Sequence, residues 1–168
     1  MLDNSDKVAG YIGECRDCGI ALLPPDVNRS SDRFTVEPGG IRFGLVAIKN
    51  IGRGFIQSVV RERERGGSFT SLQDFCDRMY DCGDMNKRAV ENFIKCGAMD
   101  CFGCHRSELL AVYESMMDAV SSTRKKNLEG QMGLFSMLSD TPSAVSIAIP
   151  HLPELPRGEL MAMEKETT

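Results

Sequence analysis

No stretch of the 168-residue sequence approaches the roughly 18 consecutive apolar residues that a membrane-spanning helix needs. Also missing is a basic start followed by an uninterrupted apolar run. Asp3, Asp6, Lys7, Glu14 and Arg16 interrupt the apolar positions near the beginning, unlike a secretory signal. Both absences lead to the expectation of a cytoplasmic chain with no membrane partner. Positive charge is not in excess either: the net charge is −4, which excludes a uniformly basic nucleic-acid binder. The cysteines number seven, and an odd set without a signal reads as reduced thiols, not as a disulfide framework.

Apolar residues make up 42% and charged residues 26%, the composition of a globular domain with a core of its own. The charge is unevenly placed. Between Arg42 and Arg65 stand six basic residues (Arg42, Lys49, Arg53, Arg61, Arg63, Arg65) against Glu62 and Glu64, a net of +4. From Glu129 onward six acidic residues face two basic ones, a net of −4.

Ser5 or Asn4 can cap a first helix carrying Val8, Ile12 and Cys15 on one face, with Gly19 as its stop. Pro24 and Pro25 impose an extended run. Phe34 to Val36 and Ile41 to Phe43 are β-prone and separated by Glu37-Pro38-Gly39-Gly40, which predicts a small β-hairpin. Helices are then expected over 45–49, 55–65, 71–80, 87–95 and 105–120. In the third of these, Leu72, Phe75, Cys76 and Met79 follow helical spacing, and Thr70 and Gln73 stand at capping-box spacing. In the fifth, Leu109, Tyr113, Met116, Met117 and Val120 form a stripe best read as core. Beyond Val120 no period is sustained, which predicts a linker or flexible extension.

The most informative segment runs from Leu45 to Ile56. A short helix ends, Ile51 tucks inward, Gly52-Arg53-Gly54 makes the turn, and an amphipathic helix begins at once. The glycines are expected to supply φ above zero and to let a phosphate approach the backbone. Amide groups at the helix start, with Lys49 and Arg53 beside them, would form an anion site that grips phosphates and reads no bases. The DNA-binding residues expected on this basis are Lys49, Asn50, Ile51, Gly52, Arg53 and Gly54. A second turn, Ile94-Lys95-Cys96-Gly97-Ala98-Met99, has one glycine of the pair and is expected to serve packing. The fold class that follows is mainly α: a tandem helix-hairpin-helix bundle with a small β-hairpin near the N-terminus and an irregular C-terminal tail. The expected units are 1–41 (leading helix, extended segment, hairpin), 42–122 (tandem helix-hairpin-helix) and 123–168 (flexible tail).

Leu23-Pro24-Pro25-Asp26-Val27-Asn28-Arg29-Ser30, Ile41-Arg42-Phe43-Gly44-Leu45 through Gly54, Phe69-Thr70-Ser71-Leu72-Gln73-Asp74-Phe75-Cys76, and Asn86-Lys87-Arg88 through Gly97-Ala98 closely resemble the alpha subunit of bacterial DNA polymerase III. The resemblance covers nearly the whole chain. It implies the region between the fingers and the clamp-binding part of that polymerase, where such hairpins hold the duplex behind the active site. Met161-Ala162-Met163-Glu164-Lys165-Glu166 resembles the stretch just before the family's next domain, so the chain is expected to be a segment of a longer one. Polymerase chemistry needs paired carboxylates for two metal ions, magnesium in this family, and the family carries them in a palm domain. No Asp-x-Asp occurs in this sequence. The segment is therefore expected to be non-catalytic and free of cofactors, with double-stranded DNA and the rest of the polymerase chain as partners.

Gln131-Met132-Gly133-Leu134-Phe135 has the form of the peptide by which bacterial polymerases dock on the sliding clamp. Gln131 and Met132, with the Leu134-Phe135 pair to fill an apolar pocket, are the expected clamp-binding residues. Gly133 departs from the polar residue usual there. The competing reading has Leu134, Phe135, Met137 and Leu138 covering the helical core.

Three other readings are weighed against this one. Cys15-x-x-Cys18 and Cys101-x-x-Cys104-His105 have zinc-ligand spacing, but the first pair falls on a predicted helix, so no metal is expected. Asp74 stands where a helix-hairpin-helix DNA glycosylase would carry its catalytic carboxylate, although its place in an amphipathic helix reads as an ordinary surface Asp. The helices could also be a pure interaction scaffold for the clamp peptide.

Overall fold

The computed structural model describes residues 4–82, 85–128 and 147–168. Helix α1 (Asn4–Asp17) ends where expected, at Gly19, whose φ of 70° turns the chain back so that the Ile20 amide donates to the Cys15 carbonyl at 2.8 Å. The hairpin is present as β2 (Thr35–Glu37) and β3 (Gly40–Arg42), paired antiparallel. A strand not expected from the sequence, β1 (Leu22–Leu23), pairs in parallel with β3 and gives the sheet order β1-β3-β2. Two residues are too few to show an alternating pattern. The pairing depends on Gly40, where a Cβ would collide with the Ala21 carbonyl.

The first hairpin's leading helix is shorter than expected, a 3-10 turn over Leu45–Ala47, and α2 (Arg53–Gly66) starts two residues early. Then come α3 (Leu72–Met79), α4 (Lys87–Lys95), a 3-10 turn over Asp100–Phe102 and α5 (Arg106–Leu128). The cap of α3 differs from the expected one. Ser71 Oγ accepts the Asp74 amide at 3.1 Å, and Asp74 Oδ2 accepts the Thr70 amide at 2.9 Å, so Ser71 and Asp74 fill the roles foreseen for Thr70 and Gln73. Among the described residues no helix is long and apolar enough to cross a membrane.

The core is centred on three fully buried phenylalanines from three helices: Phe55 of α2, Phe75 of α3 and Phe93 of α4. Their ring centroids lie 6.1 to 6.4 Å apart, and Phe69 meets Phe75 edge-on at 4.9 Å. Each such pair adds about 1 kcal/mol beyond burial. The α3 and α5 stripes read from the sequence are buried throughout.

The Pro24–Ser30 segment fastens the sheet to both hairpins. The Val27 amide donates to the Ala98 carbonyl at 2.9 Å, beside the second turn. Asn28 accepts the Phe69 amide at 2.7 Å and donates to the Phe69 carbonyl at 2.8 Å, pairing like a strand with the α2–α3 connection. Arg63 of α2 donates to the carbonyls of Val27 (2.9 Å) and Ser30 (3.0 Å), and Ser30 Oγ donates to Phe43 at the end of β3 (2.7 Å).

From residue 147 the chain packs on the core, where a flexible extension was expected. Ile147 and Ile149 pack against the core, and the chain then crosses the start of α5. There the buried Glu108 carboxylate accepts the His105 amide at 2.8 Å and the Leu152 amide at 3.1 Å, bonds that hold its pKa below the usual carboxylate range. Helix α6 (Arg157–Thr167) follows, tied to the bundle by the Arg106–Glu164 ion pair at 2.8 Å.

The second turn serves the fold. Gly97 has a φ of 83°, and the Arg106 guanidinium occupies the space where a Cβ would stand. Arg106 is only 7% exposed and is held there by Asp100 at 2.7 Å and the Lys95 carbonyl at 3.1 Å. Replacing Gly97 with Ala is expected to cost about 1–3 kcal/mol from the left-handed backbone and more from displacing Arg106; urea unfolding measures the loss. Asn28→Ala strips the partner from both the Phe69 amide and the Phe69 carbonyl and is expected to lower stability by about 1–3 kcal/mol. Arg29→Ala, beside it but with its side chain 59% exposed, should stay within about 0.5 kcal/mol of the parent.

Candidate nucleic-acid interface

The first hairpin turn runs from Ile48, which is buried, through Lys49, Asn50 and the half-buried Ile51 to Gly52. Its backbone corrects one expectation. Gly52 has φ −67° and ψ 140°, an extended conformation open to any residue, and Gly54 lies inside α2. The left-handed position is Asn50, with φ 60°, a conformation asparagine tolerates better than most side chains. What Gly52 contributes is bareness. A Cβ there would meet nothing within 4 Å, no side chain caps α2, and Gly52, Arg53 and Gly54 are all exposed. The helix start therefore faces solvent with no carboxylate or hydroxyl of its own over it.

The turn is held from behind. Asn92 of α4, 6% exposed, donates through Nδ2 to the Lys49 carbonyl at 2.8 Å. The Lys49 amide donates to the Thr167 carbonyl at 2.8 Å, and Lys49 Nζ lies 3.4 Å from the Glu166 carbonyl at the C-terminal end of α6. Lys49 is thus anchored by its peptide on both sides, and its exposed ammonium lies at the rim of the turn. Asn92 and Thr167 were not among the expected site residues. A signal for the first exists: Asn92 lies between Val90 and Phe93-Ile94 on the buried side of α4, and a polar group there needs a partner.

The six basic residues of 42–65 divide by task. Arg42 is 5% exposed and bonded to Glu37 and to the Pro24 carbonyl; its guanidinium holds the Glu37 carboxyl below the usual range. Arg63 is taken up by Val27 and Ser30, and Arg65 pairs with Glu62 at 2.8 Å. Arg53 and Arg61 are exposed on α2 and form no ion pair among the described residues. Arg53 stands at the exposed start of α2, Lys49 lies in the turn with its ammonium donating to the Glu166 carbonyl, and part of the positive run is structural.

The other candidates fall elsewhere. Asp74 is occupied by the Thr70 amide and by Arg78 at 3.4 Å, which gives it a helix-capping role. Cys15 and Cys18 lie at the end of α1. Cys101 is exposed and approaches Asn28 at 3.5 Å. Among the described residues no three His, Cys, Asp or Glu side chains group as a metal site. Gln131, Met132, Leu134 and Phe135 lie outside the described residues.

The helix-hairpin-helix motif family matches residues 19–109, a span that contains both turns, helices α2 to α4 and the start of α5. The chain is 37% identical over 167 residues to DNA polymerase III subunit alpha of Vibrio cholerae, covering 99% of this chain and 14% of that protein. It is 45% identical over 139 residues to the Thermus aquaticus subunit, covering 83% and 11%, and 37% identical over 166 residues to that of Chlamydia pneumoniae, covering 98% and 13%. The chain thus spans 11–14% of the length of these relatives. It belongs to the helix-hairpin-helix family, in the form carried by bacterial DNA polymerase III alpha subunits.

Proposed function

We propose that this chain grips duplex DNA by its sugar-phosphate backbone, without sequence preference, as the helix-hairpin-helix portion of a bacterial replicative DNA polymerase. The observation that carries this reading is the bare, rigidly backed turn from Lys49 to Gly54. An uncapped helix start offers amide hydrogens and the positive end of a dipole to an anion, and Gly52 leaves the approach open. Asn92 fixes the turn through a carbonyl, so the contact that holds it takes up no amide hydrogen of the helix start. Arg53 and Lys49 add charge, and a turn of this kind has nothing long enough to read base edges. The relatives' name as DNA polymerase subunits agrees with such a role. Polymerisation itself, with its magnesium ions, falls to residues outside this chain.

A second contact is assigned to Gln131-Met132-Gly133-Leu134-Phe135, a peptide for the sliding clamp. Its support is the form of the peptide: a glutamine for hydrogen bonds and an aliphatic-aromatic pair that would fill an apolar pocket. Together the two contacts would tie the held duplex to the ring that encircles it.

Titrating a duplex at two salt concentrations tests the first contact. Lys49→Ala with Arg53→Ala is expected to weaken binding alike for all sequences and to reduce the salt slope by about 2. Gly52→Ala should leave the urea midpoint unchanged but weaken binding, because its methyl stands in the phosphate's approach. Unchanged binding in the double variant removes this turn from the interface, and a parent chain that binds no duplex at low salt leaves the helices as a scaffold. For the tail, Leu134→Ala with Phe135→Ala is expected to lower clamp affinity by about 30-fold or more while duplex binding is retained. Equal clamp affinity in variant and parent refutes that assignment.

A further inference from the structure

The Ser31-Asp32-Arg33 loop lies tight against the first hairpin. The Leu45 amide donates to the Ser31 carbonyl at 3.0 Å and the Val46 amide to the Asp32 carbonyl at 2.9 Å. Gly44 makes this approach possible, since a Cβ there would run into the Arg33 backbone, with its Cα at 2.8 Å. Opposite the loop stands the start of α2, and between them is a cleft of about 330 Å³ lined by Asp32, Arg33, Val46, Arg53, Ile56 and Gln57.

Two arginines therefore border one cleft at the side of the Gly52 turn. The Arg33 side chain is 87% exposed, and its ion-pair partner is its own neighbour Asp32, at 3.9 Å and itself 52% exposed. Such a pair contributes little to folding. The contrast with Arg42, Arg63 and Arg78 is direct, because each of those guanidiniums is bonded to backbone carbonyls of the fold. The loop that carries Arg33 is fixed by hydrogen bonds at Ser31 and Asp32 and by the Gly44 contact, yet among the described residues the Arg33 guanidinium pairs with its exposed neighbour Asp32 alone. Guanidinium groups so presented suit the oxygens of a phosphodiester.

We propose that Arg33 is a second phosphate contact for the duplex, reached across this cleft from Arg53, so that the DNA footprint takes in the Ser31–Arg33 loop as well as the Lys49–Gly54 turn. The inference rests on the duplex-binding reading above. It also gives Asp32 a role of opposite sign: its carboxylate borders the cleft and repels the phosphate that Arg33 attracts.

Duplex titrations of the parent, Arg33→Ala, Asp32→Asn and the Lys49→Ala/Arg53→Ala variant, each at two salt concentrations, test this. Arg33→Ala is expected to weaken binding about tenfold, the loss of one charged hydrogen bond, and to lower the salt slope by about 1. Asp32→Asn is expected to strengthen binding several-fold, and its Oδ1 can still accept the Arg33 amide, so the loop is kept. Equal urea midpoints for all four chains show that folding is not what changed. If the Lys49/Arg53 variant loses binding while Arg33→Ala matches the parent, the Arg33 contact is refuted and the duplex reading stands. If the parent binds no duplex at low salt, both fall.

Discussion

The hydrogen bond from the Asn92 amide to the Lys49 carbonyl joins the two hairpins at the point where the candidate interface is built. A surface turn that must receive an anion has a conflicting requirement: it has to be rigid, yet the amide hydrogens at the helix start have to remain unspent. Fastening it at Lys49, through that residue's carbonyl and amide, meets both conditions because both bonds lie ahead of the helix start. The bond is possible because α4 is placed by the Phe55–Phe75–Phe93 cluster, which sets the distance between α2, α3 and α4. Core packing thus determines whether the loop can function as a phosphate site.

The two turns show how one local motif diverges. Both follow a short helix and contain glycine, but the second is filled by its own protein. Arg106 enters the space that Gly97 leaves and satisfies the carbonyl of Lys95, with Asp100 and Glu164 balancing its charge. The guanidinium and the anion that a hairpin could bind exclude each other there. At Gly52 the corresponding space is solvent.

Much of this was legible in the sequence, and the parts that were not share a cause. Helix α4 occupies the residues its pattern predicts, the α3 and α5 stripes are buried as read, and the break before α2 falls at Gly52, although Arg53 and Gly54 belong to the helix and not to the turn. These features are local, set by spacing and caps. The left-handed residue was misplaced because Asn50 competes with two glycines for that role, and only the backbone path decides between them. Arg42, Arg63 and Arg61 are alike in a string of letters, and distant partners such as the Pro24 and Val27 carbonyls distinguish the structural from the available ones. The β1 strand, the Pro24–Ser30 fastening and the docking of α6 all depend on pairings far apart in the chain; Lys49 and Glu166 are 117 residues apart.

That last pairing makes Lys49 unusual among exposed residues. Its side chain is exposed, with the ammonium donating to the Glu166 carbonyl, and its amide hydrogen is shared with the Thr167 carbonyl at the end of α6. Exchange of that hydrogen with solvent is therefore governed by how often α6 lifts away, not by the exposure of the turn. A residue at the rim of the candidate interface so carries a clock for the motion of a helix at the other end of the sequence.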